Sequence, residues 1–229
     1  MRVLIGPEGA ARGGDLSDGE LLELYAVPAT PWLRANMVAT LDGAAAGPNG
    51  LTGSINNATD TRVFHLLRRL ADVIVVGAGT ARAESYSSGV RPIVVVSRRG
   101  FVPPSLEGSP GGSVLVATCA SAAGLDASCR ALGQENVMVL GDDVVDLAGL
   151  RRELVTRGMT NLLCEGGPQL LGDLLSIGLV DELCLTQVPT FVGGLQARIT
   201  SGRPTHRSME LQHLLEEGGT LLSRWFTVR

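Results

Sequence analysis

The chain has 229 residues, a net charge of −4, and 45% hydrophobic and 18% charged residues, the profile of an ordinary globular protein with one sizeable core or two small ones. No arginine stripe is present, so neither nucleic acid nor an anionic membrane is an expected partner, and no apolar run approaches the roughly 20 residues of a membrane span. All 19 basic residues are arginine, which rules out a P-loop lysine, a Schiff-base lysine and a tyrosine–lysine dehydrogenase pair.

The opening "MRVLIGPEGAARGG" has too short and too polar an apolar run for a signal peptide, so the expected address is the cytoplasm. Residues 1–30 read as a mixed, Gly-rich extension with one capped helix in "SDGELLELYAVP", ending before Pro28. "WLRANMVATLDG" reads as a strand entering a turn at Asp42-Gly43, and "AAAGPNGLTGS" as a loop. From Asn57 the period changes. Val63, Leu66, Leu67 and Leu70 fall at i, i+3, i+4 and i+7, giving a helix with one apolar face. Asn57 with Asp60 three residues on resembles a cap. His65 lies off the apolar face and reads as solvated.

"DVIVVGAGT" and "RPIVVVSRR" are continuous apolar strands, with a surface loop at 100–112 between the second and the next strand. Strand 113–118, helix 121–132, strand 137–140, helix 146–157 and strand 161–164 follow, then a helix opened by Pro168 and stopped at Gly178. "DELCLTQVP" is another strand, and the last residues form an antiparallel hairpin around Gly218-Gly219. Strands alternating with helices give an α/β fold: a mostly parallel central sheet with helices on both faces, its antiparallel edge supplied by the hairpin. Cys119, Cys129, Cys164 and Cys184 show no C-x-x-C spacing and read as buried thiols rather than metal ligands. G-x-S-x-G, H-E-x-x-H and zinc-deaminase patterns are absent.

Ligands of an open parallel sheet bind beyond the carboxyl ends of its strands. Gly77 and Gly79 allow close approach of a phosphate, with Thr80 adding a hydroxyl, although Arg82 breaks G-x-G-x-x-G and a tight turn is the alternative. After the next strand, where NAD-binding chains carry an acid, stand Ser97, Arg98 and Arg99. Ser97 and Arg98 suit a 2′-phosphate and favour NADP(H), while Arg99 reads as a solvated charge. The third junction is "LLCEGGPQLLG". Gly166 and Gly167 open a helix N-terminus able to take a pyrophosphate, with Pro168 at its first position. Glu165 would repel that phosphate, so its side chain is expected to face the other ligand; an acid stabilised by the helix dipole is the alternative.

These pieces, with "ANMVATLDG", "LTG", "FHLLRRLADVIVVGAGTARAE", "DELCLTQVPTFVGG" and the hairpin, resemble the reductase domain of the bacterial riboflavin-pathway deaminase–reductase, whose fold is that of dihydrofolate reductase. The likeness covers residues 32 to 229 and is nearest to stand-alone members. It implies a single reductase domain at 31–229 after the extension, an NADPH cofactor and a homodimer; the cysteine spacing gives no reason to expect a metal. Thr80, Ser97, Gly167, Pro168, Gln169, Leu170, Leu171 and Gly172 would line NADPH, Val38 would touch it through backbone, and Leu51 and Thr52 would belong to its loop. Glu165 and Glu84 would hold the pyrimidine substrate, and Arg68, with Arg91 more loosely aligned, its phosphate. Asp42 would deliver a proton, with a simple Asp-Gly turn as the alternative; Asp42 and Glu165 are thus the expected catalytic residues. "AESYSSGVR" departs from the acid, proline and leucine that the family usually carries there. Two rivals remain: a pterin or dihydrofolate reductase, and a non-catalytic NADP(H)-binding sensor. Arg68 and Arg91 pointing into the pocket would favour the phosphorylated sugar, and facing solvent the pterin.

Overall fold

In the computed structural model, which describes residues 1–6 and 14–229, the continuous apolar runs become the middle of one sheet. The strands are β1 (Arg2–Ile5), β2 (Trp32–Ala39), β3 (Val73–Gly77), β4 (Ile93–Val96), β5 (Val114–Thr118), β6 (Val137–Val139), β7 (Asn161–Cys164), β8 (Glu182–Gln187), β9 (Met209–Glu217) and β10 (Thr220–Thr227). Their spatial order is β1-β9-β10-β8-β2-β7-β3-β4-β5-β6. Pairings from β8 to β6 are all parallel, and those among β1, β9, β10 and β8 are antiparallel. A parallel sheet needs cover on both faces. Helices α5 (Leu147–Thr156) and α6 (Pro168–Ser176) bury Leu150, Leu154, Leu171 and Leu174 against Leu33, Val75, Val94 and Leu162 on one face. On the other face lie α1 (Asp18–Leu24), α2 (Ala58–Leu70), α3 (Ala78–Ala83) and α4 (Leu125–Leu132). There Leu21, Val63 and Leu67 pack on Leu163, Leu215 and Leu222, and Ala81 on Val76 and Val95. The architecture is the expected one.

Several details differ from the sequence reading. The hairpin does not end the sheet, because β1 pairs outside β9, with Val3 opposite Leu215. Residues 2–5 and α1 therefore belong to the same body as the rest, α1 joining the core through Leu21; positions 7–13 of the expected extension lie outside the described residues. Helix α4 starts four residues later than its pattern suggested, because the Gly124 N–H is tied to the Arg99 carbonyl at 2.8 Å. Loop 100–112 is not wholly on the surface: Leu106 is fully buried. The hairpin turn needs glycine at both central positions, Gly218 and Gly219 having φ of +57° and +81°, as a type I′ turn requires.

A buried ionic cluster fastens α1 to the sheet. Glu182, fully buried on β8, accepts from Arg34 Nε (2.6 Å), Arg224 Nε (2.8 Å) and Trp32 Nε1 (2.7 Å). Arg34 and Arg224 also donate to the carbonyls of Leu24, Tyr25 and Ala26, just where α1 ends. Burial raises the Glu182 pKa, but the two guanidiniums outweigh it and hold the carboxyl below its ordinary value. His213, at 1% exposure, packs edge-on to Tyr25 with Nε2 lacking a partner. Burial and then Arg224 push it down to about 4.

Candidate active site

At the end of β7 the backbone must turn where no Cβ fits. Gly166 has φ +82°, a region costly for other residues, and a Cβ on Gly167 would collide with Thr80 Oγ1. The Gly166–Gly167 peptide is cis. The Gly166 carbonyl accepts the Gly77 N–H at 2.8 Å, so the start of α6 and the β3–α3 turn stand back to back. That explains the glycine pair. It also sets two clefts on either side of one turn.

The first cleft, about 600 Å³, is lined by Gly77 and Gly79 from the turn, Ser97, Arg98 and Arg99 after β4, and Gln169 and Leu170 from α6. Arg82 of α3, Val144, Val145 and Leu147, and Asp173 of α6, whose carboxylate accepts from Gln169 Nε2 at 2.9 Å, also line it. Among the described residues, none of Arg82, Arg98 and Arg99 has a carboxylate partner. The α6 N-terminus has no side-chain cap, leaving backbone N–H groups for an acceptor. Unpaired guanidiniums, a glycine turn and an uncapped helix end fit the phosphates of a dinucleotide. Arg82 and Arg99 were not among the expected contacts. Arg82 is five residues beyond Gly77, the position that spoiled the glycine motif, and the turn brings it back to the same rim.

The other expected cofactor residues divide. Val38, Thr52 and Thr80 line the second cleft. Leu51 lines neither, its N–H donating to Asn49 Oδ1 at 3.0 Å. Gly166, Gly167 and Pro168 shape the turn without lining either cleft. Leu171 is fully buried in the core and Gly172 packs against the Ser201 carbonyl, because these positions face inward on α6. Neither lines either cleft.

The second cleft, about 370 Å³, gathers Glu165, Glu84 and Arg68 with Asn36, Met37, Asp60, Phe64 and Tyr86. Arg68 grips Glu165 with two hydrogen bonds of 2.7 Å, and the Tyr86 hydroxyl donates to Glu165 Oε2 at 2.6 Å. The Arg68 guanidinium lies 4.3 Å from the Phe64 ring centroid and 5.4 Å from that of Tyr86. Burial works against the Arg68 charge, yet Glu165 and Tyr86 raise its pKa overall. Burial, and next the Glu165 charge, drive the Tyr86 phenol well above its ordinary value. Glu84 Oε1 accepts the Thr52 N–H at 2.8 Å and so holds the 51–54 loop against α3.

Asp60 was read only as part of a helix cap. Asn57 does accept the Asp60 N–H at 3.0 Å, but the Asp60 side chain is 4% exposed and faces the cleft. Burial raises its pKa, with the Thr186 hydroxyl acting in the opposite sense. The signal was in the spacing: Asp60, Val63 and Leu67 fall at i, i+3 and i+7, so Asp60 sits on the buried face, and Phe64 and Arg68 continue its cleft-facing row.

Two expected residues are elsewhere. Asp42 is exposed and absent from the cleft lining. Its carboxylate accepts from the Thr40 hydroxyl, from the Gly193 N–H at 2.7 Å and from the Val192 N–H at 3.3 Å. The Thr40 hydroxyl first, then those amides, lower its pKa. It is a turn brace between residues 40–43 and 192–193, poorly suited to giving up a proton. Arg91 stands in a third cleft of about 300 Å³ with His65, Arg68 and Arg69. Its Nη2 donates to the Arg69 carbonyl at 2.7 Å, and its Nε is buried without a partner. His65 is exposed, as expected, and the four cysteines are free thiols. No helix among the described residues is long and apolar enough to cross a membrane.

The comparisons with known proteins agree with this arrangement. The 2,5-diamino-6-ribosylamino-4(3H)-pyrimidinone 5′-phosphate reductase of Methanothermobacter thermautotrophicus is 32% identical over 178 residues, covering 73% of this chain and 82% of that one. The protein of the same name from Archaeoglobus fulgidus is 29% identical over 181 residues, covering 72% and 83%. Among solved structures, a pyrimidine reductase-like protein from Corynebacterium diphtheriae superposes with a TM-score of 0.80 at 24% identity, covering 93% of this chain and all of that one. Acinetobacter baumannii RibD gives 0.69 at 17% identity, covering 87% and 59%. The model of the RibD C-terminal domain matches residues 31–222, and the chain belongs to that family.

Proposed function

We propose that this protein is an NADPH-dependent reductase acting on a phosphorylated ribosylaminopyrimidine whose opened sugar presents an imine. One observation carries the reading: a single turn, Gly77 to Thr80, walls both clefts, so a dinucleotide in one and an aminopyrimidine in the other meet across it. Bound NADPH supplies the hydride that reduces the imine carbon. The protein's share is orientation and protonation. Arg82, Arg98 and Ser97 hold the 2′-phosphate end, and the α6 N-terminus holds the diphosphate. Glu165 accepts hydrogen bonds from the amino edge of the pyrimidine. Glu84 holds the 51–54 loop over the ring. Asp60 replaces Asp42 as the source of the proton for the imine nitrogen, since its buried carboxyl stays protonated to higher pH than an exposed one.

Arg68 lines the substrate cleft and Arg91 the third cleft, both half-buried, which favours the phosphorylated sugar; the pterin reading keeps only that Arg68 is turned onto Glu165 and Arg91 onto a backbone carbonyl. Following NADPH oxidation with the phosphorylated ribosylaminopyrimidine and with dihydrofolate separates the readings. Turnover of the pyrimidine alone supports this proposal, turnover of dihydrofolate alone replaces it, and tight NADPH binding with neither leaves a sensor. The free thiols suit a reducing cytoplasm. The homodimer rests on family resemblance, and sedimentation tests it.

A further inference from the structure

We propose that Tyr86 is a positioning residue that, with Arg68, masks Glu165 until a phosphate group draws Arg68 away, coupling phosphate binding to pyrimidine binding. The inference rests on the substrate reading above. A carboxylate offers about four lone-pair sites. On Glu165 three are filled, by Arg68 Nε, Arg68 Nη2 and the Tyr86 hydroxyl, and the residue is only 7% exposed. One site is left, so a pyrimidine edge that presents two donors reaches it only by displacing at least one of these.

Arg68 has somewhere to go. It lines the wall between the substrate cleft and the third cleft, where His65, Arg69 and Arg91 gather and no carboxylate is present in the lining. The Arg91 Nε, buried and without a partner, marks that chamber as short of an acceptor. A phosphate there offers Arg68 a partner in place of Glu165. Tyr86 sits at a strained turn. It follows Ser85, whose φ of +50° is the one positive value on a non-glycine residue among the described residues. After it come exposed Ser87, Gly89 and Val90, and Ser87 lines both clefts. The segment 85–90 thus walls both clefts and has a strained backbone position beside the phenol. "ESYSS", the stretch that departs from the family pattern, supplies the phenol.

Because the masked state excludes both groups, each stabilises the open state for the other. Calorimetry on the NADPH-loaded protein tests this with inorganic phosphate and the phosphate-free ribosylaminopyrimidine nucleoside. Saturating phosphate should tighten the nucleoside on the order of tenfold, the scale of one charge-assisted hydrogen bond. Tyr86→Phe should tighten the nucleoside without phosphate by a similar factor and shrink the coupling, a pattern that a merely structural tyrosine would not produce. No coupling in the unaltered protein, or weaker nucleoside binding in Tyr86→Phe, would overturn the mask. A second readout does not depend on the substrate. The chain has two tyrosines, so inorganic phosphate should perturb the tyrosine ultraviolet band, and Tyr86→Phe should abolish the change. An unperturbed band overturns the mask even if the pyrimidine is turned over; a perturbed band with no turnover overturns only the substrate reading.

Discussion

Replacing Glu165 with Gln separates the two clefts cleanly. The side chain is 2% exposed and its partner Arg68 27% exposed, so water can re-solvate the guanidinium once the charge is gone. Stability should therefore fall by about 1–2 kcal/mol rather than the roughly 3–5 of a fully buried broken pair. At roughly 2–4 °C per kcal/mol for a chain of this size, Tm should drop by about 2–8 °C. The amide still accepts one hydrogen bond but no longer as a carboxylate, so substrate KM should rise by about 10-fold to 150-fold, the worth of one charge-assisted contact. NADPH affinity should change by less than about twofold, because Glu165 does not line the 600 Å³ cleft. NADPH oxidation kinetics give the first number and calorimetry the second. Equal losses of both affinities would refute the division of labour across the glycine turn.

Arg82→Ala and Arg98→Ala should each reduce the preference for NADPH over NADH by on the order of tenfold, read as the ratio of kcat/KM values; an unchanged ratio in both assigns the 2′-phosphate elsewhere. Asp60→Asn should lower kcat about 100-fold or more, whereas Asp42→Asn should leave it within about threefold, and the opposite pattern would restore Asp42 as the acid. Because the Asp60 pKa is raised, the proton it donates is lost as pH climbs through that raised value, so kcat should decline on the alkaline side and the decline should vanish in the Asn variant. His213 has a folded pKa of about 4 against an ordinary 6.5. The unfolded chain takes up the proton first, so stability is intact above 6.5 and declines below it, by about 3 kcal/mol near pH 4. Urea melts should show a smaller acid loss in His213→Leu; identical losses would refute it.

The parallel strands were legible because burial on both faces leaves a continuous apolar run, and the junctions after β3, β4 and β7 followed from the rule about strand ends. Strand β1 was not. Its four residues are too short a run to stand out, and they are a strand only because β9, more than 200 residues away in the sequence, offers an edge. Glu165, Arg68 and Glu84 were named by motif and line one cleft, but their mutual geometry was not legible: that Arg68 spends its fork on Glu165 depends on how α2 lies against β7. Asp60 was within reach of helical spacing, hidden by its plausible role as a cap. Leu171 and Gly172 fall outside both clefts for the reverse reason, since a motif names a run of residues while a helix turns some of them inward. Tyr86 lies in the stretch where the family pattern failed, and a failed pattern gives no direction to a side chain.

The placement of β10 in the interior of the sheet, between β8 and β9, constrains how a nascent chain matures on the ribosome. Residues 2–5 are made long before their partner β9 and must wait for it, and β8 keeps an unpaired edge until residues 220–227 have emerged. The half from β2 to β7 can assemble before the antiparallel half, which waits for β9 and β10, and such long-range pairing is slow. Translation stalled before residue 220 would leave the flank of β8 open to pairing with a neighbouring polypeptide.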